Sequence, residues 1–210
     1  MIPRPAGFLR LRPSLVRSAV VALGAVLSLV ALVAGCAGTP AATFDPDGPC
    51  VADGAAPGAY PELEARLPSS VDGTPPTTVD SGRNCTPKNL GSLGTHDLTE
   101  VRFAGAVWDR GGGSGVTTAI FTAPGLRADW IAEFYETSAE AGRRTEDIVT
   151  TTPTVAGRPG HRMDLRNGES LQSVVVWPST TPDTVNVVLS ADIDESIVQA
   201  AIAALEGANG

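Results

Sequence analysis

Lysine occurs once in 210 residues, at Lys88; histidine occurs twice and cysteine three times, and aromatic residues make up only 5% of the chain. With so little lysine and a formal charge of −8, the chain lacks the cationic surface that nucleic acid requires, so no nucleic-acid partner is expected. His96 sits in a Gly-Thr-His-Asp stretch and His161 heads an apolar run. Neither has metal-ligand spacing or a helper nearby in sequence, so no metal site is expected. The glycine run Gly111-Gly112-Gly113-Ser114-Gly115 is followed by Val116, not by the Lys-Ser/Thr pair of a phosphate loop or the second glycine of a nucleophile elbow. It reads as a hairpin turn. Asp45-Pro46-Asp47-Gly48 is too short and proline-rich for a calcium loop. These absences leave no cofactor motif and no local catalytic set.

Against this, the N-terminus is distinctive. Arg4, Arg10, Arg12 and Arg17 are followed by an uncharged run from Ser18 to Ala34, with small Ala34 and Gly35 at its exit. That is the charged, apolar and small-residue order of a secretory signal, and its length is near the lower limit for spanning a bilayer. The last five residues, Leu32-Val33-Ala34-Gly35-Cys36, resemble the lipobox of bacterial lipoproteins. The resemblance covers the first 36 residues only. It implies a signal peptide at residues 1–35, cleavage before Cys36, a diacylglyceryl group on its thiol with further acylation such as palmitate, and a cell-membrane location on the extracytoplasmic face. Two or more acyl chains suffice for stable anchoring. The alternative is a signal anchor that stays uncut.

Four of the fifteen cations precede Cys36, so the chain from Cys36 onward keeps eleven cations against twenty-three anions, a net charge of −12. Residues 36–60 are rich in Ala, Gly, Pro and Asp and read as the lipidated cysteine followed by a flexible spacer. With Cys36 assigned to lipid, Cys50 and Cys85 remain, and two thiols in an oxidising compartment most simply form a disulfide. Two free thiols are the alternative.

Residues 61–207 are enough for one domain. Glu62 to Leu67 suggests one helical turn, and Ser69 to Leu93 is mostly turn chemistry. Alternation at Val101, Phe103 and Val107, then at Val116, Thr118 and Ile120, predicts a hairpin. Leu126 to Ala141 has helical spacing and ends at Gly142, which suits a left-handed cap. Ile148 to Val155, His161 to Leu165, Leu171 to Trp177 and Val185 to Leu189 predict four more strands. An Asn167-Gly168 type I′ turn would set Arg166 opposite Glu169. Asp192 with Glu195 predicts a capping box for a last helix through Ile197, Ala201 and Leu205. The expected fold is α+β: a mostly antiparallel sheet with two main helices packed against it. An offset of 69 residues carries Val107 to Val176, Trp108 to Trp177, Val116 to Val185 and Ile120 to Leu189, which suggests two related hairpin-helix halves.

One charge anomaly stands out. Arg143, Arg144, Arg158, Arg162 and Arg166 cluster in an otherwise acidic chain. Two readings stay open: pairing with Glu146, Asp147, Asp164 and Glu169, or a docking patch for an anionic ligand or envelope protein. Trp108 and Trp177 likewise read either as buried edges or as exposed ligand platforms. The function class that follows is a membrane-anchored binding or interaction module and not an enzyme. An envelope enzyme whose residues converge only in the fold is the alternative.

Overall fold

The computed structural model describes residues 44–209. The signal segment, the lipobox and Cys36 lie outside the described residues. In chain order the elements are β1 (Gly54–Ala56), α1 (Pro61–Glu64), β2 (Thr78–Asn84), α2 (Pro87–Leu90), a 3-10 turn (Gly91–His96), β3 (Val101–Gly111), β4 (Ser114–Thr122), α3 (Ala128–Glu140), β5 (Thr145–Thr151), β6 (Thr154–Val155), β7 (Arg158–Pro159), β8 (His161–Asn167), β9 (Ser170–Pro178), β10 (Thr184–Ala191) and α4 (Glu195–Ala208). Eight strands form one antiparallel sheet in the order β1-β2-β3-β4-β10-β9-β8-β5, and β6 and β7 form a separate ribbon. The α+β expectation therefore holds. Among the described residues, no helix is long and apolar enough to cross a membrane.

Both faces of the sheet are covered, because the central strands are apolar at successive positions and so have a hydrophobic residue to bury on each side. On β9, Val174 and Val176 pack beneath α3 with Ile131, whereas Val175 and Trp177 pack beneath α4 with Val198, Ala201, Ile202 and Leu205. The two main helices thus lie on opposite faces. Trp108 and Trp177 share the α4 face at 1% and 0% exposure, which makes them buried edges and not ligand platforms.

The strand-strand-helix order occurs twice, as β3-β4-α3 and β9-β10-α4. Trp108 pairs with Val116 in β4, but Trp177 pairs with Asn186 in β10, one residue beyond the expected Val185. Val185 therefore faces α3 whereas Val116 faces α4.

Local details differ from expectation for physical reasons. In the glycine hairpin, Gly112 and Gly113 are the loop residues, both with positive φ (64° and 86°), as a type I′ turn needs. The β8–β9 turn is displaced by one residue: Asn167 pairs with Ser170, leaving Gly168 (φ 66°) and Glu169 in the loop. Glycine at the first loop position is the type II′ arrangement, and Arg166 lies opposite Leu171 instead of Glu169. Helix α3 ends at Ala141 in the right-handed region, and Gly142 is not left-handed. A Cβ at Gly142 would meet Thr145 Oγ1 and, at 3.0 Å, the Ala139 carbonyl. Helix α4 begins after Asp194, not Asp192. Asp192 instead accepts from the Leu171 amide at 2.8 Å and donates its own amide to the Leu171 carbonyl, joining β9 to the end of β10.

Candidate functional site

At the β1–β2 edge, the stretch read as spacer is folded onto the sheet from Phe44 onward. Arg83 is only 2% exposed, and its guanidinium donates to the carbonyls of Gly48 (2.9 Å), Asp45 (2.7 Å) and Pro49 (2.9 Å). Its guanidinium carbon lies 5.9 Å from the centroid of the Phe44 ring. The carbonyls of Asp45 and Gly48 are thus spent on an arginine, and that of Pro46 accepts from the Tyr60 hydroxyl. Two residues further along, Cys85 is bonded to Cys50, with Cα atoms 5.4 Å apart. Asp53 accepts from the amides of Cys85 (2.6 Å) and Thr86 (2.9 Å) and from the Thr86 hydroxyl. Burial alone would raise the Asp53 pKa, but these hydrogen bonds outweigh it and hold the carboxyl below the usual range. Composition hid this clamp, since its strand β2 buries Ser81, Gly82 and Arg83 and shows no apolar alternation.

The arginine cluster lies at or near the opposite edge, where β8 and β5 end the sheet. Alternation sends Arg162, Asp164 and Arg166 to the α4 face. Arg162 is chelated by Asp164 (2.9 Å) and Glu195 (2.8 Å), and these hydrogen bonds raise its pKa further while the Arg162 contact lowers that of Glu195. Arg166 pairs with Asp147 at 3.4 Å, and Arg158 pairs with Glu206. Arg143 and Arg144 are exposed and make no ion pair among the described residues. Three of the five arginines therefore have carboxylate partners within the fold. Asp147 and Asp164 are among the partners named from sequence; Glu195 and Glu206 come from α4 and could not be read from local spacing.

Glu206 closes a polar cluster under the end of α4. Its Oε1 accepts from Trp177 Nε1 at 2.6 Å and Asn186 Nδ2 at 3.1 Å, and its Oε2 faces Arg158. A carboxylate is electrostatically misplaced at a helix C-terminus, so these donors are what explain it there. His96, which has no helper in its own loop, finds one on α3: its Nε2 is 2.8 Å from Glu133 and its ring stacks on Trp130 with centroids 4.4 Å apart.

On the other face, a cleft of about 230 Å³ opens between α3 and strands β5, β8 and β9. Buried Met163, Val174 and Val176 line it, together with Ala132, Tyr135 and Glu136 of α3, Thr150 to Thr152, and His161. The Tyr135 ring packs edge-on against Phe134 and Phe121, at 5.4 and 6.4 Å between centroids. The side chain is half-buried and its desolvation raises the phenol pKa above the ordinary value. The side chains of Tyr135, Glu136 and His161 make no hydrogen bond to another described residue, and the Arg162 guanidinium is engaged with Asp164 and Glu195 on the opposite face. Neither the strand period nor the helix period pointed to this cleft, because it forms only where α3 crosses an edge distant in sequence.

Among the described residues, no group of three or more His, Cys, Asp or Glu is placed to hold a metal ion. The described residues thus form an α+β fold: an antiparallel sheet with a helix on each face, a clamped β1–β2 edge and a cleft at the far edge. Comparison with known protein families, curated proteins and solved structures finds no match.

Proposed function

We propose that this chain is an extracytoplasmic lipoprotein, anchored to the cell membrane through a diacylglyceryl group on Cys36, whose body is a binding module. The observation that carries this reading is the separation of the two edges. The described chain starts at the β1–β2 edge, held there by Arg83 and the Cys50–Cys85 bridge, whereas the cleft and most of the arginine cluster lie at the β8–β5 edge. Eight strands spaced about 4.8 Å apart put roughly 34 Å between those edges. The eight peptide units from Cys36 to Phe44 reach at most about 29 Å. Such a tether would leave the far edge accessible to a partner. The net charge of −12 from Cys36 onward also disfavours contact with anionic headgroups.

The partner surface we propose is this far edge, with Arg143 and Arg144 as the arginines available to an anionic envelope partner. The central hairpins, which share the Trp108 and Trp177 positions, are the part of the two halves we propose to be related. Pull-down from membranes with the full chain, against an Arg143→Glu, Arg144→Glu chain, tests the partner surface. Loss of specific partners with unchanged folding supports it, and an unchanged profile contradicts it.

A further inference from the structure

We infer that the cleft between α3 and β5, β8 and β9 is a ligand site for a small uncharged molecule built on one six-membered ring and carrying a hydroxyl. This deepens the binding-module reading and does not depend on the lipid anchor.

Size comes first. The cleft measures about 230 Å³. An apolar cavity of about 150 Å³ holds benzene, so this cleft has room for one ring and a few more atoms. Chemistry comes next. Met163, Val174 and Val176 give the ring an apolar surface, and the area buried there supplies affinity. Tyr135 lines the cleft and its side chain makes no hydrogen bond to another described residue, and His161 and the threonines from Thr150 to Thr152 add polar groups around the wall. A half-buried donor of this kind loses water when a ligand enters, so a hydroxyl on the ligand that meets it is selected over an apolar substituent.

Charge sets the last condition. The one carboxylate on the cleft is Glu136. The one arginine beside it, Arg162, sends its guanidinium to Asp164 and Glu195 on the other face of the sheet. An anionic ligand would meet the like charge of Glu136 while the Arg162 guanidinium is already paired, and is disfavoured.

Met163 makes the site directly observable, because the chain has only two methionines and the other is Met1. The full chain is labelled with [13C-methyl]methionine in lipid nanodiscs, and the Met163 resonance is assigned by its loss in Met163→Leu. Benzyl alcohol, benzoate and toluene are the probes. Nanodiscs carrying Ala132→Phe, which places a ring in the cleft, correct for probe dissolved in lipid. Benzyl alcohol is expected to shift the Met163 methyl saturably, with a Kd of roughly 0.1–1 mM, the range for a ligand of its size. Benzoate should bind at least about tenfold more weakly, and Glu136→Gln should narrow that gap. Tyr135→Phe should weaken benzyl alcohol by about three- to tenfold and leave toluene unchanged. No saturable shift, a shift that persists in Ala132→Phe, or benzoate binding as tightly as benzyl alcohol would overturn the assignment. Since the readout is confined to Met163, failure here leaves the anchor and the arginine edge to be judged by their own tests.

Discussion

Glu206→Ala should cost about 3 kcal/mol of stability. The carboxylate satisfies Trp177 Nε1 and Asn186 Nδ2 through one oxygen and faces Arg158 with the other, and Trp177 and Asn186 are both fully buried. Truncation strands both neutral donors, each at about 1–2 kcal/mol once a buried group is left without a partner. It also strands Arg158. A fully buried pair broken on one side costs about 3–5 kcal/mol, but the Arg158 and Glu206 side chains each keep 23% of their exposure, so water relieves the guanidinium and that part of the cost shrinks. Asn186 Oδ1 and Arg158 Nε already lack partners among the described residues, which leaves the cluster little capacity to rearrange. For a domain of this size, a loss of about 3 kcal/mol lowers Tm by roughly 6–12 °C. Glu206→Gln keeps an acceptor for Trp177 and Asn186 but turns an amide donor toward Arg158 in place of Oε2, so it also loses that ion pair and its cost should be about 1–2 kcal/mol, less than that of alanine. Urea denaturation followed by tryptophan fluorescence reads both variants. An alanine variant within 0.5 kcal/mol of wild type (of the order of an unremarkable surface change) would refute the view that these donors depend on Glu206.

Cys50→Ser with Cys85→Ser should lose about 4 kcal/mol, the chain-entropy value for a loop of 35 residues; a loss under about 1 kcal/mol in denaturant titration would show that Arg83 alone holds the edge. Asp53→Asn should be less stable than wild type at neutral pH by about 1–2 kcal/mol. Because the folded pKa of Asp53 is depressed, that advantage is present above its unfolded value near 3.9 and fades as pH falls through the lower folded value, so the two denaturation curves should converge in acid; a gap that persists there would contradict the assignment. Arg162→Glu would set three carboxylates together with Asp164 and Glu195, so it should destabilise the fold; Arg143→Glu with Arg144→Glu should leave Tm within about 2 °C, which thermal melts can separate.

The central sheet was legible because its strands announce themselves by period. Val101 to Val107, Val116 to Ile120 and Leu171 to Trp177 lie in strands as their apolar alternation or continuity predicts, and Leu126 to Ala141 contains α3. The Cys50–Cys85 pair was legible from the thiol count once Cys36 was set aside. Strand β2 was not, because Thr78–Asn84 buries polar Ser81 and charged Arg83, and Gly82 is there to let the β1 backbone at Gly54 and Ala55 come close. Such a strand carries no hydrophobic signal at any period. The spacer boundary shifted for a related reason: Phe44 to Pro49 is held by one guanidinium 34 or more positions away, and no composition rule registers that contact. The arginine partners were only half visible. Asp147 and Asp164 are near in sequence, whereas Glu195 and Glu206 reach the cluster through the packing of α4. The cleft was invisible for the same reason, since α3 and His161 are joined only by the tertiary fold.

The most direct test of the proposed anchored module is the intact mass of the chain extracted from membranes without reductant. A chain beginning at Cys36, heavier by a diacylglyceryl group and lighter by the two hydrogens of the Cys50–Cys85 bridge, is the predicted species. Recovery of a chain that retains Met1 to Gly35, or that carries no acyl mass at Cys36, would contradict it.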